Sequence, residues 1–482
     1  MADDQIVQAN PNVLSERYVP SETNEVFSER GKNIAERELW IAVMKGQKEL
    51  GVPIPGEDIV KFENAKDNVD LAMIKEIERK TRHDIKAKIE TFVKTAGAGE
   101  YLHKAMTSRD LTDNVEQMQN LRASKIILGR YVGVARHMID KVEEYRDILL
   151  TARTHHQAAQ PTLFGRRMAM WADELLFHIG EMEHFIDVYP LRGIRGPVGT
   201  QFDMLSLLGS AEKVDRLEIL VAKHLGFAKT LDATGQVYPR SLDYALAARL
   251  VGLAAACENF GIGVRLMSGY ELCEEGFQEG QVGSSIMPHK MNTRSSERIC
   301  GAGKLVKMYS VGAMLLSGDQ WEEGDVSCSI TRRVVQPDQF YASEAVTETT
   351  MTVLNETGVY PEMIKAEFKK YLPFLASTEM LTIATKAGIG REQAHKIIKQ
   401  HAVGEAIRMR KTGELPYLAN RLAQDPVFQQ HGITEKQLQS VLDDTTHFIG
   451  NANKQMDAVK TKAQVFIDKY KDAAAYEPRP IL

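Results

Sequence analysis

The ten residues Gly283-Ser284-Ser285-Ile286-Met287-Pro288-His289-Lys290-Met291-Asn292 put two hydroxyls, a cation and an amide into one short segment. Gly280 and Gly283 permit a positive φ, and Pro288 fixes its own φ while turning Met287 away from helix. The stretch reads as an irregular, mobile loop that handles anions and closes over a ligand. For an isolated Gly/Ser/Pro segment a polar surface loop is the ordinary reading; the complete string is what favours chemistry.

A second polar run, Ala152 to Thr162, carries His155 and His156 at the end of a long helical pattern. Adjacent residues on a helix point about 100° apart, so the two imidazoles cannot address one ligand atom there, and one of them is structural. A third run, Tyr101 to Asp110, combines His103 with Thr107 and Ser108, which double as an N-cap and its neighbour. Upstream, Arg82-His83-Asp84 sets a cation, an imidazole and a carboxylate side by side. In isolation that would be an ordinary exposed helix face.

The elements that must position these segments are helices. No proline falls between Gly56 and Gln160, and Val115, Met118, Leu121, Ile126, Val132, Val134, Met138, Val142 and Tyr145 recur at mostly three- and four-residue steps. A second Pro-free stretch, Arg240–Met287, contains the Ala254-Ala255-Ala256 run, whose small side chains let neighbours approach closely. Lys304–Leu316 and Ala342–Leu354 give a third helix and a fourth. Strand signals are few, so helices packed nearly parallel in a bundle are expected, with boundaries near Ser108–Asp110 and Gly358–Pro361.

The chain has 482 residues, a formal net charge of −5 and 26% charged residues, which suggests neither a nucleic-acid footprint nor a polybasic membrane surface. The opening residues lack the pattern of a leader, and no later apolar run approaches the ~20 residues that span a bilayer. Cys257, Cys273, Cys300 and Cys328 have no Cys-x-x-Cys spacing and read as reduced, partly buried thiols. The 13 histidines show no metal-ligand spacing, and no metal site is expected.

Gly-Ser-Ser-x-Met-Pro-x-Lys-x-Asn resembles the signature loop of the fumarase/aspartase superfamily, whose members typically eliminate fumarate from a substituted succinate. Thr154-His155-His156-Gln157 and Tyr101–Asp110 resemble its other two conserved segments. Within it, the adenylosuccinate lyase branch is matched by Ser15-Glu16-Arg17-Tyr18, Arg82-His83-Asp84, Thr234-Gly235-Gln236-Val237-Tyr238, Arg294-Ser295-Ser296-Glu297-Arg298 and Tyr371 to Thr378, and by His289 before Lys290. The wording of Met287–Ser295 and of Arg195–Thr200 looks most like actinobacterial forms. The resemblance covers residues 12 to 470 or so.

It implies an all-α, three-domain fold: an N-terminal helical domain (1–110), a central long-helix bundle carrying the 283–292 loop (111–360) and a C-terminal helical domain (361–482). It further implies a cytoplasmic homotetramer cored by the bundle, with sites shared between subunits. The implied reaction is that of a carbon–nitrogen lyase on a nucleotide substrate, with neither cofactor nor metal. Ser284 would be the general base and His155 the general acid; Lys290 would face the charge of the carbanion, and Glu297 would hold the imidazole. Arg17, Tyr18, Arg82, His83, Asp84, His103, Thr107, Ser108, Gln236, Asn292, Arg298, Ser329 and Arg333 would bind substrate. One departure stands out. Where many of the branch read Trp-x-Glu-Arg before a phosphate-binding Ser and Arg, this chain reads Trp321-Glu322-Glu323-Gly324, leaving Arg332 as a conceivable substitute. The alternatives are another member of the superfamily, such as a carboxymuconate cycloisomerase or argininosuccinate lyase, and a non-catalytic helical scaffold.

Overall fold

The computed structural model describes residues 12–276 and 286–479. Six helices come first: α1 (Val13–Arg17), α2 (Ser21–Phe27), α3 (Glu29–Glu49), α4 (Gly56–Ala65), α5 (Leu71–Thr81) and α6 (Asp84–Ala96). The long helix α7 (Ser108–Glu144) follows, then strands β1 (Leu149–Thr154) and β2 (Gln157–Leu163), then α8 (Phe164–Val188), α9 (Phe202–Leu208), α10 (Ala211–Leu225) and α11 (Ser241–Ser268). Strand β3 (Cys273–Glu274), α12 (Arg294–Leu316), α13 (Cys328–Glu356), β4 (Gly358–Val359) and α14 (Pro361–Leu375) complete the centre, and shorter helices run to Ala474.

Helices α7, α8, α11, α12 and α13 pack side by side as the bundle. Helix α7 has 37 residues, hence a length of about 55 Å, and its apolar residues Val115, Met118, Val132, Val134, Met138 and Val142 are all buried. It starts where Thr107 N–H donates to Asp110 Oδ2 (2.8 Å), one of the N-terminal donors that a helix cannot satisfy itself. Close approach of α11 to α8 needs more than alanines. A Cβ on Gly263 would stand 2.2 Å from the Trp171 ring.

Three boundaries differ from the sequence expectation. Helix α12 begins at Arg294 rather than Lys304, because the Glu275 carboxylate accepts the N–H groups of Ser295 and Ser296 (2.7 Å each) and caps a polar first turn. Helix α13 begins at Cys328 and runs through Pro337, which lacks an N–H to donate and whose ring crowds the preceding turn, a cost the packed helix absorbs. The polar run at 152–162 is not the end of a helix but the antiparallel hairpin β1–β2.

The apolar core is continuous across position 110: Leu39, Trp40, Phe62 and Phe92 share it with α7. Ala376, Met380, Ile398, Leu418, Phe428 and Leu438 form a separate core, whereas the helix Ala452–Lys469 returns Met456 and Ala463 to the bundle. By length and composition α11 and α12 come closer to membrane spans than the sequence suggested, but 56% of the α11 window is buried, as a bundle's core helix requires. All four cysteines are unpaired and buried. Phe177, Ile262, Leu266, Met308, Leu315 and Ile330 leave apolar surface exposed along the bundle.

Candidate active site

The candidate residues fall into two groups at opposite ends of the bundle. At the start of α7 the Asp110 carboxylate, fully buried, accepts from the Arg192 guanidinium (2.6 Å) and from Arg195 N–H (2.8 Å). One helical turn on, Asp113 accepts from Tyr238 N–H (3.2 Å) and from Arg240 (2.9 Å). Asp243, near the start of α11, accepts from the Tyr238 hydroxyl (2.7 Å) and from Arg332 Nε (2.9 Å), and Arg332 also pairs with Glu116 (2.6 Å). Buried charges are tolerable only when paired like this. The network ties the 234–238 strap bearing Gln236, and the start of α13 bearing Ser329 and Arg333, to the head of α7.

At the same end His83, His103, Thr107 and Ser108 line one cleft of about 730 Å³. Arg82 and Asp84, on either side of His83, are exposed. Arg82 adopts a left-handed φ of 54° at the end of α5, and His83 Nδ1 accepts from Lys86 N–H (3.3 Å) as the cap of α6. His103 is half-buried, and burial lowers its pKa, with Asp110 opposing the shift and His83 adding to it.

Gly324 belongs to this end too. Its φ of 135° is one that residues with a side chain avoid, and a Cβ there would lie 2.7 Å from Val237. Glu323 C=O accepts Gln236 N–H (2.6 Å), so the turn is clamped onto the strap. Arg332 is 2% exposed and tied up with Asp243, the Tyr238 hydroxyl and Glu116, which goes against its substituting for the missing arginine; Arg333 is exposed.

At the other end of the bundle, His155 and His156 are the two turn residues of the β1–β2 hairpin, with φ of 50° and 62°. Consecutive left-handed residues make the tight turn whose twist matches the strands. His156 Nε2 shares a hydrogen bond with the Tyr270 hydroxyl (3.2 Å), and the Arg153 guanidinium lies 4.1 Å from the Tyr270 ring centre and pairs with Glu367. The His155 ring is exposed, and none of its hydrogen bonds lies among the described residues.

Close by, Asn292 lines a cavity of about 370 Å³ with Ser268, Glu274, Glu275 and Tyr360. Lys290 and Glu297 are exposed, and Glu297 makes no hydrogen bond to His155 within the chain's described residues. The Arg298 guanidinium sits 5.4 Å from the Tyr18 ring centre, and Arg17 and Tyr18 line a cavity of about 160 Å³ with Glu348 and Arg479. Ser284 and Ser285 lie outside the described residues.

Two lengths decide what one chain can assemble. Helix α11, with 28 residues, sets about 40 Å between Gln236 and Tyr270. From Tyr145 at the end of the roughly 55 Å α7, ten residues reach back at most about 35 Å, so His155 stays no closer than about 20 Å to Ser108. Several positioning groups had no local signal in the sequence: Trp40 and Tyr270 act across 63 and 114 positions, and Glu275 caps a helix 20 residues on.

The fold is that of the fumarate lyase superfamily. A solved 3-carboxy-cis,cis-muconate lactonizing enzyme from Pseudomonas putida matches 95% of this chain and 100% of its own at a TM-score of 0.77 and 17% identity. A fumarate lyase from Mesorhizobium matches 92% of this chain and 98% of its own at 0.76 and 18%. Residues 24–307 match a family model described as lyase, and residues 373–459 one described as adenylosuccinate lyase C-terminus. Among relatives, adenylosuccinate lyase of Schistosoma mansoni is 31% identical over 96% of this chain and 97% of its own. That of Saccharomyces cerevisiae is 30% identical over 92% of each, and that of Methanothermobacter thermautotrophicus 28% over 94% and 98%. The chain belongs to the adenylosuccinate lyase family.

Proposed function

We propose that the protein cleaves adenylosuccinate to AMP and fumarate by β-elimination, and that it treats succinylaminoimidazole carboxamide ribotide alike. The full-length kinship carries this reading. It is supported by His155 lying exposed at a hairpin tip and by Lys290 lacking a carboxylate partner among the described residues.

Ser284 takes the Cβ proton once nearby donors stabilise its oxyanion. Lys290, with Asn292, faces the carboxylate that gains charge in the carbanion, where a preorganised cation is worth more than in water. His155 protonates the leaving nitrogen, and Glu297 holds that imidazole charged. Arg17, Tyr18, Ser329 and Arg333 hold the phosphate, while Arg82, His83, Asp84, His103, Thr107, Ser108, Gln236 and Arg298 bind the rest of the substrate. The elimination transfers no electrons to an acceptor, so it needs no redox cofactor.

The two groups of residues meet by assembly: a homotetramer in which each site draws on more than one chain. The separation of the ends supports this, as do the exposed apolar faces along the bundle. The three-part division at 110 and 360 is kept in functional terms, with α7 to α13 as the shared core. A cytoplasmic setting suits four unpaired cysteines. The particular likeness to actinobacterial forms rests on the wording of 195–200 and 287–295, whereas the relatives named above are eukaryotic and archaeal.

The direct test is the ultraviolet spectrum of adenylosuccinate mixed with purified protein, because conversion to AMP alters the purine chromophore. An unchanged spectrum under conditions where the protein is folded and associated would refute the assignment.

A further inference from the structure

His103 is fixed from behind. Trp40, on α3, is 1% exposed and lies against Phe92 on one side (ring centres 6.5 Å apart) and against His103 on the other (6.1 Å, nearly perpendicular). Its indole N–H donates to His103 Nδ1 at 3.1 Å. An indole nitrogen can only donate, so Nδ1 must offer a lone pair, and the neutral ring then carries its proton on Nε2. With Nδ1 turned to the core, Nε2 lies on the opposite edge of the ring, towards the cleft that His83, Thr107 and Ser108 also line.

The backbone is held to the same end. His103 (φ 63°) and Ala105 (φ 55°) are both left-handed without being glycine, a conformation that residues with a Cβ adopt only where their surroundings hold them to it. Between them, Lys104 C=O accepts from Gln47 Nε2 at 3.0 Å. Trp40 and Gln47 are two turns apart on one face of α3, so a single rigid helix fixes both ring and main chain.

We infer that Trp40 is a positioning residue that locks His103 in its Nε2–H form, making His103 a neutral hydrogen-bond donor to an anionic oxygen of the substrate and not a proton acceptor. This rests on the functional reading above, in which His103 faces substrate. A donor that cannot take a proton leaves base catalysis to another group.

The test compares KM and kcat for adenylosuccinate. Glutamine can place an N–H where Nε2 stands, asparagine only where Nδ1 stands. His103→Gln should therefore recover most of the affinity that His103→Ala loses, and His103→Asn should not. Trp40→Phe keeps an aromatic ring on Phe92 but removes the donor, and should raise KM about fivefold with kcat changed less. Equal behaviour of Gln and Asn, or better affinity with Asn, overturns the inference, as does an unchanged KM in folded Trp40→Phe protein. Should Trp40→Phe not fold, the Gln/Asn pair decides. A wild type inert towards adenylosuccinate would strike the functional reading instead. The tautomer can then still be read by NMR of 15N-histidine-labelled protein, with the His103 signal identified by its loss in His103→Gln; a protonated Nδ1 would overturn the lock.

Discussion

Replacing Arg332 by methionine removes the guanidinium that joins Asp243 (2.9 Å), Glu116 (2.6 Å) and the Tyr238 hydroxyl where α7, α11 and α13 meet. Burial by itself would lower this arginine's pKa, but Asp243 and then Glu116 raise it well above the ordinary value, so the charge is permanent. Once it is gone, Glu116 loses its ion-pair partner and Asp243 keeps the Tyr238 hydroxyl and Arg240 at 4.0 Å. Breaking a buried pair from one side costs about 3–5 kcal/mol. At ~2.1 cal/mol/K per residue, a chain of 482 residues unfolding as one unit has an unfolding entropy near 1 kcal/mol/K, which makes the expected fall in Tm about 3–5 °C. Scanning calorimetry measures it. Arg333→Met, one position on and exposed, should leave Tm within about a degree and raise KM instead. The reasoning fails if Arg332→Met melts like wild type while raising KM as much as Arg333→Met does, because that guanidinium would then be reaching the substrate.

Other expectations follow from the same geometry. His155→Ala should lower kcat by about a hundred- to ten-thousand-fold in steady-state assays while a substrate analogue still binds. Lys290→Met should act mainly on kcat and Arg17→Met mainly on KM, since only the first faces charge that grows in the transition state; the reverse pattern would exchange their roles. His155→Ala and Ser284→Ala proteins, denatured and reassembled together, should regain up to roughly a quarter of wild-type sites, and a mixture that stays inactive while wild type recovers would refute sharing between chains. Burial, opposed by Thr23 and Arg130, pushes the Glu344 carboxyl up to about 7 from an ordinary 4.5. The protonated form is therefore favoured in the folded state, and its stabilisation is lost as pH rises from about 4.5 through about 7. Urea unfolding at pH 5 and pH 8 should show Glu344→Gln gaining about 2.5 kcal/mol on wild type between the two, and equal pH dependence would contradict the shift.

Where the sequence was legible, period was the reason. The steps from Val115 to Val142 mark one buried stripe, and α7 is where that stripe predicts it. Starts of helices were harder to read because their causes are remote. Between Arg294 and Lys304 only Ile299, Cys300 and Ala302 are apolar, too few beside Arg, Ser, Glu and Gly to mark a helix start, and the carboxylate that caps α12 lies 20 residues back. Pro337 hid the first turns of α13 behind a residue normally taken as a break. The hairpin escaped because a register shift between Thr151 and Arg153 interrupts its alternation, and because histidines occupy turn positions where Asn or Gly would be the usual signal. The chemistry of the candidate residues was readable from their types. That long helices hold Thr107-Ser108, His155 and Ser284 tens of ångströms apart was readable too, at about 1.5 Å per residue; which residues share an end was not, since it depends on successive helices reversing direction, which no local pattern records.

The roughly 40 Å that α11 sets between Gln236 and Tyr270 gives dilution the force of an inhibitor. In the proposed assembly a lone chain, even one that stayed folded, would carry these side chains without a way to bring them to one small molecule. Under the proposed assembly, specific activity is therefore governed by mass action between subunits as much as by any residue, and a well-folded variant with a weakened bundle face would be silent at low concentration and active at high.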